Sequence, residues 1–96
     1  MDIKVQSVHF TADKKLIEFV NEKVNKLDVF FDHIVAGEVF LRLDKTSDKE
    51  NKISEVKILV PGKELYAKKQ CKTFEEAIAQ SVEALRKQVE KVKKVS

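Results

Sequence analysis

Apolar and polar positions along the chain follow two periods, and their succession predicts an order of elements. Ile3-Lys4-Val5-Gln6-Ser7 alternates with period two, and Val8 and Phe10 continue on the opposite parity. This predicts a strand with a bulge or twist near Ser7. Leu16, Phe19, Val20, Val24, Leu27 and Phe31 then recur at spacings of three and four. They predict one amphipathic helix of about twenty residues, roughly 30 Å long. Thr11 is the expected N-cap, with Asp13 in the first turn, where a carboxylate suits the helix dipole.

After Gly37 the period returns to two. Val39, Leu41 and Leu43 fall on one face, with Glu38, Phe40, Arg42 and Asp44 on the other. The polar run from Lys45 to Lys52 reads as an exposed, mobile loop. From Ile53 to Val60, Val56, Ile58 and Val60 alternate with Glu55, Lys57 and Leu59. Pro61-Gly62 is a turn signal, so Glu64 to Gln70 is expected to return antiparallel as a hairpin partner. Thr73-Phe74-Glu75-Glu76 matches a capping box, and the stripe Phe74, Ile78, Val82, Leu85, Val89, Val92 predicts a second helix behind it.

The order β-α-β-β-β-α implies an α+β fold, residues 1–96 forming a single domain. Each helix has one apolar face, so both are expected on the same side of a four-stranded sheet. The first strand-helix-strand unit should be a right-handed crossover joining parallel strands.

Composition narrows the function. In 96 residues, 43% are hydrophobic and 36% charged, with a formal net charge of +3. Residues 1–62 hold ten Lys/Arg against eleven Asp/Glu, and residues 63–96 hold nine against five. The positive excess therefore lies in the last third, and attraction to an anionic partner should be one-sided. No apolar run is long enough to span a bilayer, and Met1-Asp2-Ile3-Lys4-Val5 does not read as a secretory signal. Neither membrane association nor export is expected, and the single Cys71 fits a reducing cytoplasm.

Catalysis finds little support. His9 and His33 are in different elements, with no patterned nucleophile, and read as surface or edge histidines. Cys71 lacks neighbouring ligands for zinc and reads as a small half-buried side chain. The two glycines, Gly37 and Gly62, form no phosphate-binding loop, and Val8-His9-Phe10-Thr11-Ala12 offers neither glycine nor arginine for an anion loop. No enzyme activity, cofactor, metal or small-molecule substrate is expected.

The basic positions are more informative. Lys87, Lys91 and Lys94 recur at i, i+4 and i+7, flanked by Arg86 and Lys93. Lys23 and Lys26 neighbour each other on the first helix, with Lys15 two turns earlier, and Lys68, Lys69 and Lys72 lead into the second helix. Side by side on a sheet, the helices would join these cations into one basic surface able to follow an RNA backbone. No aromatic alternates with them, so structured RNA suits them better than splayed bases. Without further context, a lysine-rich helix end is more often a solubilising face.

The segment from Leu16 to Leu27, followed by Phe30-Phe31-Asp32-His33-Ile34, resembles the corresponding part of the ribosome hibernation promoting factors. So do Glu64-Leu65-Tyr66-Ala67, Ala77-Ile78 and Leu85-Arg86-Lys87-Gln88-Val89-Glu90-Lys91. These factors and the ribosome-associated inhibitor form the family once labelled sigma-54 modulation proteins. The resemblance spans nearly the whole chain. It implies a fold like a double-stranded RNA-binding domain and binding to 16S rRNA in the decoding region of the small ribosomal subunit. Translation would be blocked there, at the aminoacyl and peptidyl sites, under stress or in stationary phase.

Lys23, Lys26, Lys87 and Lys91 carry over from the family pattern as RNA contacts. Arg86, Lys93 and Lys94 extend the patch, and Lys68, Lys69 and Lys72 stand where many members have small or acidic residues. Glu75 and Ala84 replace a frequent tyrosine and lysine. The length matches the short promoting-factor form, without the C-terminal dimerisation domain of long members, so any pairing of ribosomes would depend on another protein. A double-stranded RNA-binding module acting outside the ribosome is the alternative, and a protein-interaction domain with merely solvated lysines is a third reading.

Overall fold

The computed structural model describes residues 1–46 and 49–95, with side chains through Val92. Its elements are β1 (Asp2–Val8), α1 (Lys14–Asn25), a single turn α2 (Leu27–Phe30), β2 (Ala36–Leu43), β3 (Lys52–Val60), β4 (Lys63–Cys71) and α3 (Phe74–Val95). They form the expected α+β fold. The sheet order is β1-β2-β3-β4. β1 and β2 are parallel, and the other two pairings are antiparallel.

Strand alternation decides the layering. Val39, Leu41, Val56, Ile58, Val60, Leu65 and Ala67 are buried on one face. Val20 and Val24 of α1, Leu27 of α2, and Phe74, Ile78, Leu85 and Val89 of α3 close over them as one core. At about 25 cal/mol per Å² of apolar area, this shared burial is the main force holding helices to sheet. The opposite face is left open, with Leu59 and Tyr66 each 45% exposed.

The structure alters four local expectations. β1 runs unbroken to Val8, in register with Arg42, so there is no bulge at Ser7. Parity changes instead at His9, whose φ of 63° turns the chain in the left-handed region. That turn delivers Phe10 to the core side, where its ring stacks on Phe74 at 4.9 Å. The N-cap of α1 is Asp13 rather than Thr11: the Leu16 N–H donates to Asp13 Oδ1 at 2.8 Å.

The single long helix is also divided. At Lys26 the N–H reaches the Lys23 carbonyl at 3.3 Å, and the Val29 N–H reaches that of Lys26 at 3.1 Å. These three-residue spacings tighten the ladder and start the separate turn α2. The apolar stripe survives the break because Leu27 remains fully buried. Fourth, the polar run 45–52 is shorter than expected as a loop, since Lys52 already belongs to β3. Ser47 and Asp48 lie outside the described residues, but the base of the connection is tied. Asp44 accepts from the Thr46 N–H, the Thr46 hydroxyl and Gln70 Nε2, and the Asp44 N–H donates to the Asn51 carbonyl. These hydrogen bonds, the Thr46 hydroxyl first, hold the Asp44 carboxyl below the usual carboxylate range.

Other features agree with the pattern. Val60 pairs with Lys63 across Pro61-Gly62, and Gly62 takes the φ of 75° that glycine accepts without strain. Thr73 Oγ1 accepts from the Glu76 N–H at 3.1 Å, starting α3. Between β3 and α3, the fully buried hydroxyls of Ser54 and Ser81 meet at 2.6 Å in a hydrogen bond that one donates and the other accepts.

Two stability predictions follow from these contacts. Asp13→Ala should cost about 1 kcal/mol and Thr11→Ala less than about 0.5 kcal/mol. Ser54→Ala should cost about 1–2 kcal/mol by stranding the Ser81 hydroxyl, and the Ser54→Ala/Ser81→Ala double variant less than the summed singles. Urea unfolding of the variants measures each quantity.

Candidate nucleic-acid interface

A helix turning about 100° per residue presents a buried stripe, two flanks and an exposed crest. The α3 stripe faces the sheet through Ile78, Leu85 and Val89. On the flank over β4, Gln80, Ala84, Lys87, Gln88 and Lys91 line a shallow groove of about 610 Å³, together with Glu83 and Lys69 of β4. Small Ala84 leaves the middle of this groove open. Gln88 Nε2 donates to the Tyr66 carbonyl at 2.9 Å, fastening α3 to an outward group of the edge strand. Lys69 reaches the groove because it has the same strand parity as Leu65, Ala67 and Cys71, the helix-facing positions of β4.

Arg86 is on the other flank. Its Nη2 lies 2.6 Å from Glu83 Oε1, its Nε donates to Glu83 Oε2 at 3.1 Å, and its Nη1 donates to Glu90 Oε1. The guanidinium carbon is 5.7 Å from the centre of the Phe30 ring of α2, a cation–π distance. Arg86 is therefore engaged within the protein on three sides. The hydrogen bond from Arg86 holds the Glu83 carboxyl below its ordinary value, and the same bond pushes the Arg86 guanidinium up.

On α1, Lys23 lies 5.5 Å over the Phe19 ring, and Lys26 is exposed at the C-cap, where a cation suits the helix dipole. Among the described residues, Lys26, Lys69, Lys87 and Lys91 form no ion pair. On the open face of the sheet two cations are paired. Arg42 Nε is 2.8 Å from Glu55 Oε1, Lys57 is 3.6 Å from Glu64, and Tyr66 donates to the other oxygen of Glu55.

The expected site residues are thus partly assembled and partly dispersed. Lys69, Lys87 and Lys91 converge on one groove. Lys23 and Lys26 are on the same side of the sheet but on the neighbouring helix, and the Glu83, Arg86 and Glu90 cluster lies beside Phe30 of α2. Lys68 does not join them: strand alternation sends it to the open face, opposite Glu55 of β3. Lys72 is exposed just ahead of α3, outside the groove. Lys93 and Lys94 belong to the helical backbone of α3, but their side chains lie outside the described residues. Gln80 and Gln88 were missed as groove residues, although their spacing from Ala84 and Lys91 places them on the same flank.

Other reactive side chains are isolated. His9 and His33 are exposed, the latter 3.3 Å from Asp32. Cys71 is 5% exposed, more deeply buried than expected, and burial followed by the nearby Glu76 and Glu50 charges pushes its thiol up. Among the described residues, no helix is long and apolar enough to cross a membrane.

A family model described as sigma 54 modulation protein / S30EA ribosomal protein matches residues 3–95. Comparison with curated protein sequences gives no match. Among solved structures, a ribosomal subunit interface protein from Coxiella burnetii superposes with a TM-score of 0.86 at 18% identity, over 97% of this chain and 98% of that one. The N-terminal domain of Protein Y from Thermus thermophilus gives 0.84 at 22% identity, over 96% and 99%. At these identities the superpositions establish a shared fold.

The burial of Cys71 predicts slow alkylation. At pH 8 the native thiol should react with iodoacetamide at least about tenfold more slowly than in urea-unfolded protein. Time-resolved mass spectrometry measures both rates.

Proposed function

As this chain belongs to the sigma 54 modulation protein / S30EA ribosomal protein family, a family of ribosome-associated factors, we propose that it binds the small ribosomal subunit in the decoding region. There it contacts 16S rRNA through the helix side of the sheet and blocks translation by occupancy. The observation that carries this reading is the groove of Lys69, Lys87 and Lys91, cations without ion pairs among the described residues. Lys23 and Lys26 add a second cationic contact on the adjacent helix.

Ammonium groups at helical spacing meet successive phosphates and release condensed counterions, so binding should weaken steeply with salt. The groove is shallow and its lysines have no interleaved aromatic ring, which favours a structured backbone over unstacked bases. Inhibition then needs no bond-making step. The protein holds a surface where messenger and transfer RNA would otherwise sit, acts in the cytoplasm, and serves the hibernation of idle ribosomes.

Lys87→Glu/Lys91→Glu reverses two charges in the groove without touching the core. We expect it to keep the wild-type circular dichroism spectrum and lose at least about a hundredfold in affinity for purified small subunits. Co-sedimentation at several salt concentrations measures this. Wild-type affinity in the double variant would remove the groove from the interface. Equal binding of the native protein to generic RNA duplexes would favour action outside the ribosome.

A further inference from the structure

Lys87 is flanked along α3 by Glu83 four residues before it and Glu90 three residues after it, the two spacings at which helical side chains meet. By this arithmetic both carboxylates are natural partners for Lys87 and would cancel its charge. In the structure both instead bind Arg86, Glu83 through two nitrogens. The planar guanidinium outcompetes an ammonium for this position because it offers several fixed donors at once. Its stacking distance from Phe30 further selects that pose. Lys87 is left exposed in the groove, with no ion pair among the described residues.

We infer that Arg86 is a positioning residue that occupies Glu83 and Glu90, leaving Lys87 without an ion pair among the described residues and its ammonium available to a phosphate, and is not itself an RNA contact. The inference rests on the proposed function and assigns Arg86 a different part in it from its lysine neighbours. Glu83 lines the groove, so an uncompensated carboxylate there would also repel the phosphate directly. Arg86 protects the site in two ways: it removes a competitor for Lys87 and neutralises a repulsive charge.

The test is a charge-compensation cycle on the full chain, read as affinity for purified small ribosomal subunits over a range of salt. Arg86→Met should weaken binding about five- to tenfold and lower the salt slope by about one counterion as Lys87 turns to its carboxylate neighbours. Adding Glu83→Gln and Glu90→Gln should restore wild-type affinity and slope, although the arginine is still missing. As a control, Arg86→Met with Glu18→Gln and Glu64→Gln carries the same net charge, with its changes remote from the groove, and should stay weak.

Failure of the adjacent substitutions to rescue would mean that Arg86 touches RNA itself. Equal rescue by the remote pair would reduce its role to net charge, and an Arg86→Met variant with wild-type affinity would leave it no role. Each of these results overturns the inference while leaving subunit binding intact. Absence of subunit binding by the native protein would overturn the proposed function, and this inference with it. Should Arg86→Met fail to fold, Glu83→Gln/Glu90→Gln on the native arginine tests the same point. Affinity should then tighten by less than about twofold, and a tenfold gain would show the carboxylates acting on the groove despite Arg86.

Discussion

The structure depends on the burial of one face of one sheet. Inward residues of β2, β3 and β4 present a continuous apolar surface that a chain of this size can cover only with its helices. Both long helices are consequently held on the same side, and the opposite face stays open to solvent. That asymmetry decides which cations share a side of the molecule. Had the helices been placed on opposite faces, Lys23 and Lys87 would have had no common side from which to approach a single partner.

On the helix side, charge is sorted by flank rather than spread evenly. The β4 flank of α3 gathers Lys69, Lys87 and Lys91 around small Ala84. The other flank carries an arginine enclosed by two carboxylates and an aromatic ring. Exposed ion pairs of this kind contribute little to stability, typically under about 1 kcal/mol. Their importance here is electrostatic accounting: negative charge close to the groove is met by a cation from the same helix. A net charge of only +3 then still supports a concentrated positive site.

The local irregularities serve the same arrangement. The left-handed turn at His9 brings Phe10 onto Phe74, locking the entry of α1 to the start of α3. The break at Lys26 starts α2 as a separate turn while Leu27 stays in the core, and Phe30 of that turn lies 5.7 Å from the Arg86 guanidinium. The buried Ser54–Ser81 pair fixes α3 against β3 at a point where an apolar contact would tolerate sliding. Together with the Gln88 link to the edge strand, these contacts tie α3 to β3 and β4.

Element order, strand faces, the hairpin at Pro61-Gly62 and the side on which the helices lie were all legible in the sequence. Each follows from alternation or helical spacing, which are local regularities of the chain. The same reading identified the lysines of α1 and α3. It misplaced the α1 cap and the parity switch, because Thr11, Asp13, Ser7 and His9 are all chemically acceptable there and three-dimensional fit chooses among them. It also ran α1 and α2 together, since an apolar stripe carries across a tightened turn without interruption. Alternation along the expected strand from Glu64 to Gln70 already implied that Lys68 and Lys69 point to opposite faces, a separation that grouping them by charge overlooked. Only the tertiary structure distinguished Arg86 from Lys87, because the partners of a charged side chain are set by what folding brings within reach.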